Sequence, residues 1–145
     1  MIVIVDIDNT LALNDTRFEL ATKEDGKVNW DIAYNFDLVL ADRPNYPMIK
    51  LVQNYINDGV EIIIFTGRPE AVRIPTELWL DTYGVPYDKL YMRTPQDHYI
   101  PANKLKKRMY DKYITESVFC AYDDEQSIID LWTSLGIPTF KVNGI

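Results

Sequence analysis

The sequence is poor in the side chains that form disulfides and bind soft metal ions. Its 145 residues include one cysteine, Cys120, and one histidine, His98. A single cysteine excludes a disulfide framework and a thiolate zinc site, and it favours a reducing, cytoplasmic location. A single histidine excludes any mechanism that needs paired imidazoles.

Long apolar runs and an excess of positive charge are also missing. No run approaches the roughly 20 apolar residues of a membrane-spanning helix, and no basic segment precedes the first apolar run as in a signal peptide. The 15 Lys and Arg residues face 22 Asp and Glu residues, which gives a net charge of −7. We therefore expect no membrane association and no extended nucleic-acid-binding surface, although a local basic patch remains compatible with the charge.

The length and composition are typical of one soluble globular domain. Apolar residues make up 47% of the chain and charged residues 26%, and 145 residues are enough to bury a substantial core. No internal repeat, low-complexity stretch or Pro/Gly-rich linker interrupts the chain. We predict a single domain over residues 1–145, and nothing in the sequence indicates an oligomeric state.

Short, continuous apolar runs predict strands that are covered on both faces. The strong runs are 2–7, 61–65, 118–122 and 139–142, with a weaker one at 90–92. Apolar residues at helical spacing between them predict helices near 49–56, 78–83, 105–113 and 128–135. This alternation predicts an α/β fold with a mainly parallel sheet, whose ligands bind outside the carboxyl ends of the strands. The irregular stretch 11–45 is predicted to be a short insertion over that edge.

Two acidic motifs follow predicted strands. Asp6 and Asp8 lie two residues apart after the first strand, so their carboxylates share a side if the strand persists. Such a pair either forms a solvated acidic turn or binds a hard cation such as Mg²⁺. Asp123 and Asp124 follow the third strong strand, where acids cap a helix or bind the same cation.

Two further segments carry groups that suit a phosphate. Thr66, Gly67 and Arg68 follow the second strand. They form either an ordinary turn or a turn whose backbone N–H groups and Arg68 guanidinium face an anion. The basic helix near residues 103–113 has mostly solvated charges, but a lysine beside its apolar stripe could reach the carboxylates. The candidates for that lysine are Lys104, Lys106 and Lys107.

Taken in order, these motifs resemble the four motifs of the haloacid dehalogenase (HAD) phosphohydrolase superfamily. Further similarity over essentially the whole chain, including the stretch 6–17 and Tyr83-Gly84-Val85-Pro86, looks like the 3′-phosphatase domain of phage polynucleotide kinase. The resemblance implies an HAD-like Rossmannoid three-layer α/β sandwich with a small cap or none. No G-x-x-x-x-G-K-[ST] loop is present, so no kinase domain is expected in this chain.

The resemblance also implies site roles and a reaction. It assigns Asp6 as nucleophile, Asp8 as general acid, and Thr66, Gly67 and Lys106 as phosphate-binding groups. Arg17 and Arg68 would bind the substrate. Mg²⁺ would be held by the Asp6 carboxylate, the Asp8 carbonyl and the Asp123–Asp124 pair. Asn9 and Ala102 depart from the family pattern, in which glycine is commoner at the first position and an acid stands at the second.

The implied function is Mg²⁺-dependent hydrolysis of 3′-phosphates on nucleic-acid ends or nucleotides through an aspartyl phosphate. One alternative is a nucleotidase that acts on free nucleoside monophosphates. Another is a receiver-type phosphoacceptor module, but its phosphoacceptor aspartate follows a middle strand, whereas Thr66 and Gly67 stand there in this chain. A binding domain without catalysis is disfavoured, because Ala102 is the one charged motif position left unfilled.

Overall fold

The computed structural model describes residues 1–143, along which strands and helices alternate. The strands are β1 (Ile2–Val5), β2 (Ala12–Leu13), β3 (Arg43–Pro44), β4 (Glu61–Pro69), β5 (Lys89–Arg93), β6 (Val118–Asp123) and β7 (Thr139–Lys141). The α-helices are α1 (Asp15–Ala21), α2 (Trp30–Ala33), α3 (Phe36–Leu40), α4 (Tyr46–Asn57), α5 (Arg73–Thr82), α6 (Ala102–Tyr113) and α7 (Gln126–Ser134). None of the helices in this range is long and apolar enough to cross a membrane.

Five strands form one parallel sheet in the order β5-β4-β1-β6-β7. Each of these strands coincides with one of the five predicted apolar runs, so the predicted α/β fold with a mainly parallel sheet is confirmed. The order places β1 between β4 and β6. The carboxyl ends of these three strands, at each of which a predicted site motif lies, therefore meet at one edge.

Apolar side chains are buried on both faces of the sheet, which explains the continuous apolar runs. Along β1, Val3 and Val5 join the core on the side of α4 and α5, whereas Ile2 and Ile4 join the core on the side of α6 and α7. Trp132 of α7 is fully buried in the core on the side of α6 and α7. Helices on both faces of a parallel sheet make the three layers of the predicted sandwich.

The predicted insertion 11–45 folds into three short helices and a two-stranded antiparallel ribbon of β2 and β3. Its ends are joined by Asn45, whose backbone N–H donates to Leu11 O at 2.8 Å and whose side chain donates to Thr10 O at 2.8 Å. The Trp79 indole of α5 donates to Asp42 O at 2.8 Å. These bonds join the two ends of the insertion and fasten the residue before β3 to α5.

Two local predictions differ from the structure. Thr66-Gly67-Arg68, predicted as a turn, continues strand β4 to Pro69, which pairs with Arg93 after an irregularity in the register. The residue before a proline favours extended backbone, which keeps this segment in line with the strand. Leu78, assigned to an apolar helix face, is exposed, whereas its neighbour Trp79 is buried.

Candidate active site

The first acidic motif lies in a tight loop directly after β1. The N–H groups of Thr10, Leu11 and Ala12 all donate to Ile7 O, at 3.1, 2.9 and 2.9 Å. Asn9 adopts a positive φ of 59°, a conformation that asparagine tolerates better than most residues. The loop thus accommodates asparagine at the position where the family more often has glycine.

Lys106 reaches from α6 into the carboxyl edge of the sheet. Its Nζ donates to Asp6 Oδ1 at 2.8 Å and to Asp123 Oδ2 at 2.6 Å, and all three side chains are buried. Lys104 is exposed, and Lys107 pairs with Asp111 on the surface. Of the three candidate lysines, Lys106 is therefore the one that contacts the acidic motifs.

Three carboxylates converge where β1 and β6 end. One oxygen from each of Asp6, Asp123 and Asp124 lies within 4.8 Å of the other two. Burial and repulsion by Asp123 raise the pKa of Asp6 well above its ordinary value, despite Lys106. The same two causes raise the pKa of Asp124 to about 6. In this cluster three carboxylates face one lysine, and a bound cation would relieve the repulsion among them.

Asp8 belongs to a separate network of arginines and acids. Arg68 Nη2 lies 2.8 Å and Arg17 Nη2 lies 2.7 Å from Asp8 Oδ1. Both guanidinium groups also contact Asp42 Oδ2, each at 3.0 Å. Burial would raise the pKa of Asp8, but the two guanidinium groups lower it to about 2. Asp6 and Asp8 thus have different cationic partners, although they are two residues apart.

Thr66 and Gly67 lie beside these networks at the end of β4. The buried Thr66 hydroxyl accepts a hydrogen bond from Arg68 N at 3.1 Å, which leaves its proton to donate elsewhere. Gly67 O accepts from Arg93 Nε at 3.0 Å, and a Cβ on Gly67 would lie 3.7 Å from Arg93 Nη2. The segment is thus held in place next to the acidic edge.

Sequence reasoning missed Asp42, the buried acid that joins Arg17 to Arg68. No motif surrounds it, and its arginine partners are 25 and 26 residues away in sequence. Burial raises the pKa of Asp42, whereas hydrogen bonding to Arg17 opposes the rise. The one signal in the sequence was an acid in an otherwise irregular insertion, which does not identify a partner.

The ion pairs of Asp42 should contribute strongly to stability. Asp42→Ala leaves two buried guanidinium groups that share Asp8 as their carboxylate partner. Because breaking a buried ion pair is strongly destabilising, we expect the free energy of unfolding to fall by about 3–5 kcal/mol. The matched control is Asp15→Ala, which removes the exposed partner of Arg43 in the same insertion and should leave the urea midpoint almost unchanged. Equal, small losses in urea denaturation of the two variants would contradict a stabilising role for Asp42.

Comparisons with known proteins agree with this arrangement. A family model described as the polynucleotide kinase PNKP phosphatase domain matches residues 1–144. A protein of Autographa californica nuclear polyhedrosis virus, described as a bifunctional polynucleotide kinase/RNA ligase, is 30% identical over 142 residues. That match covers 94% of this chain and 18% of the viral protein.

Solved structures show the same fold. A chain of the Pnkp1/Rnl/Hen1 complex matches with a TM-score of 0.77 and 31% identity, over 97% of this chain and 45% of that one. A Clostridium difficile protein described as a phosphatase matches with a TM-score of 0.71 over 97% of this chain and 83% of its own. At 10% identity, the second match supports the fold alone.

This chain thus spans less than half the length of the viral protein and of the complex subunit that it matches. The family model nevertheless covers nearly all of it, and the four HAD motifs meet at one edge of an HAD-like sheet. The chain is therefore a phosphatase of the HAD superfamily and belongs to the family of polynucleotide kinase phosphatase domains.

Proposed function

We propose that the protein is a Mg²⁺-dependent phosphomonoesterase that removes 3′-phosphates from nucleic-acid ends or nucleotides through an aspartyl phosphate. The observation that carries this proposal is the buried contact of Lys106 with Asp6 and Asp123, beside Asp124, in a chain of this phosphatase family. A cytoplasmic location remains a prediction from the single cysteine.

The charge balance of the site suits a divalent cation. The site contains five acids and three cationic side chains, so two negative charges are left over when all the acids are ionised. The acids are Asp6, Asp8, Asp42, Asp123 and Asp124, and the cations are Arg17, Arg68 and Lys106. Oxygen donors are the ligands that Mg²⁺ prefers. The Asp6 carboxylate, the Asp8 carbonyl and the Asp123–Asp124 pair would hold it. When bound, it would reduce the repulsion between the substrate phosphate and the nucleophile.

Asp6 is the proposed nucleophile. One carboxylate oxygen of Asp6 forms a bond to phosphorus while the bond from phosphorus to the ester oxygen breaks, and the leaving oxygen receives a proton from Asp8. Water then attacks the aspartyl phosphate, gives a proton to Asp8, and releases inorganic phosphate as the Asp6 carboxylate is restored. Lys106 and Thr66 would stabilise the negative phosphate oxygens during both steps.

Arg17 and Arg68 would make the pKa of Asp8 depend on whether substrate is bound. Arg17 and Arg68 hold Asp8 as a carboxylate in the free site, and the carboxylate is the form that accepts a proton from water. If either guanidinium turns to the substrate phosphate, Asp8 loses an ion pair and its pKa rises. Substrate binding would therefore favour the protonated form that serves the leaving oxygen.

Two observations support a 3′-phosphate as the substrate, namely the family of the chain and the small size of the insertion. A short insertion leaves room for the end of a polymer at the carboxyl edge of the sheet, as a large closing cap would not. The viral relative is described as a polynucleotide kinase/RNA ligase, which fits a role on nucleic-acid ends. The nucleotidase alternative keeps the same chemistry, whereas the receiver-type alternative has no support in a chain of a phosphatase family.

Lys106→Ala should reduce kcat by about 10²–10³-fold, because it removes a buried cation next to the nucleophile. Lys104→Ala and Lys107→Ala should stay near the wild-type rate, since these side chains lie on the outer surface of the same helix. Steady-state assays on a 3′-phosphorylated oligonucleotide, with thermal unfolding to check that each variant is folded, compare the three. Similar, mild losses at all three positions would contradict the assignment of Lys106.

Asp6→Asn should abolish turnover and the covalent intermediate together, because an amide is a poor nucleophile. Asp8→Asn should reduce the rate by about 10²–10⁴-fold, since the amide supplies no proton. Acid quenching during turnover of a ³²P-labelled 3′-phosphate should leave label on the wild type and none on Asp6→Asn. Label retained by Asp6→Asn would place the covalent bond on another residue.

A panel of phosphorylated substrates tests the proposed function directly. We expect hydrolysis of 3′-phosphorylated oligonucleotides and 3′-mononucleotides, slow hydrolysis of 5′-phosphates, and no activity in EDTA. Raising the salt concentration should weaken binding only slightly, with a slope that reflects about one to three phosphates. A preference for 5′-mononucleotides would favour the nucleotidase, and full activity without metal would contradict the mechanism.

A further inference from the structure

An aromatic cluster lies on the insertion, next to the arginines of the site. The Trp30 and Tyr34 rings are stacked, with centroids 5.7 Å apart and an interplanar angle of 16°, and Phe18 packs edge-on against Trp30 at 6.1 Å. Trp30 and Tyr34 are four residues apart, so the turn of α2 places them on the same side. We refer to Phe18, Trp30 and Tyr34 as the aromatic platform.

Arg17 connects the aromatic platform to Asp8. Its guanidinium carbon lies 5.0 Å from the Phe18 ring and 5.6 Å from the Tyr34 ring, while its Nη2 contacts Asp8 at 2.7 Å. The charge of Asp8 also contributes to the raised pKa of Tyr34, about 12, after the larger effect of burial. The Tyr34 ring and the Arg17 guanidinium thus connect Trp30 to Asp8 at the carboxyl edge of the sheet.

The exposure of Trp30 distinguishes it from the other tryptophans. Trp79 and Trp132 are fully buried, whereas Trp30 is 56% exposed. A large aromatic ring that packs against two neighbouring rings and is still more than half exposed is suited to a flat, apolar ligand. Three more exposed apolar side chains lie in the same insertion, namely Leu20, Ile32 and Phe36.

The net charge indicates how a nucleic-acid end would be held. A net charge of −7 provides no extended basic surface for the phosphates beyond the one that reacts. Base stacking on aromatic rings is the other general source of affinity for single-stranded nucleic acid, and it does not depend on positive charge. Trp30 is an exposed aromatic ring that stacks on Tyr34, and the Tyr34 ring in turn contacts Arg17, the arginine predicted to bind the substrate.

We propose that Trp30 stacks against the nucleobase of the terminal nucleotide while its 3′-phosphate lies at Asp6. This inference rests on the proposed function, and it makes Trp30 a substrate-binding residue that selects phosphates attached to a nucleoside. Because stacking does not distinguish bases strongly, all four terminal bases should be accepted. Phosphate esters that lack a base should bind more weakly than nucleotides.

Fluorescence tests binding without catalysis. Titration of Asp6→Asn with a 3′-phosphorylated oligonucleotide in Mg²⁺ should quench the emission of Trp30 and protect it from iodide, because the other two tryptophans are buried. The same oligonucleotide with an abasic terminal 3′-phosphate should leave the emission and the iodide quenching unchanged. Equal responses to both oligonucleotides would overturn the inference.

Kinetics tests the consequence for the reaction. Trp30→Ala should raise KM for a 3′-phosphorylated oligonucleotide about tenfold or more with little change in kcat. On the abasic substrate, Trp30→Ala and the wild type should have the same KM, and Trp30→Phe should restore much of the binding. The matched control is Phe119→Ala, which removes a 48% exposed ring at the opposite end of β6 and should leave KM unchanged.

The outcomes separate this inference from the proposed function. If the wild type hydrolyses 3′-phosphates and Trp30→Ala has an unchanged KM, the inference is wrong and the proposed function stands. If the wild type hydrolyses no 3′-phosphorylated nucleotide, the proposed function itself fails. A fall in kcat on the abasic substrate equal to that on the oligonucleotide would assign Trp30 a structural role and overturn its role in stacking.

Discussion

Repulsion among carboxylates gathered at one edge of the sheet is the constraint on which the site depends. Asp6, Asp123 and Asp124 would not remain ionised together in a buried cluster without positive charge between them. Lys106 supplies part of that charge from α6 and is itself kept protonated, because the carboxylates outweigh the effect of burial on its pKa. The remaining negative charge is what makes the cluster suitable for a divalent cation.

Asp8, the second acid of the motif after β1, has its charged partners in other parts of the chain. Asp8 is held by Arg17 of the insertion and Arg68 of β4, and Asp42 joins the two guanidinium groups. Because both arginines are buried, they have little freedom to leave their carboxylates without an anion to receive them. The insertion therefore supplies half of the network that sets the charge of Asp8.

Much of the fold could be predicted because its signals are local. Continuous apolar runs mark strands covered on both faces, and the five strands of the parallel sheet coincide with those runs, whereas no such run marks the short strands β2 and β3. Helix ends carry a local signal as well, since Gly59, Gly84 and Gly136 follow α4, α5 and α7 with positive φ angles. Thr66-Gly67-Arg68 was less predictable, since its extended course depends on Pro69 and on pairing with β5.

The sequence by itself determined the parallel α/β sheet and the motifs at its carboxyl edge, because apolar periodicity and short spacings are properties of neighbouring residues. Only the tertiary structure decided which lysine meets Asp6 and that Asp42 joins Arg17 to Arg68. These contacts link residues 100, 25 and 26 positions apart. They depend on how α6 and the insertion pack against the rest of the fold, and no pattern among neighbouring residues predicts that packing.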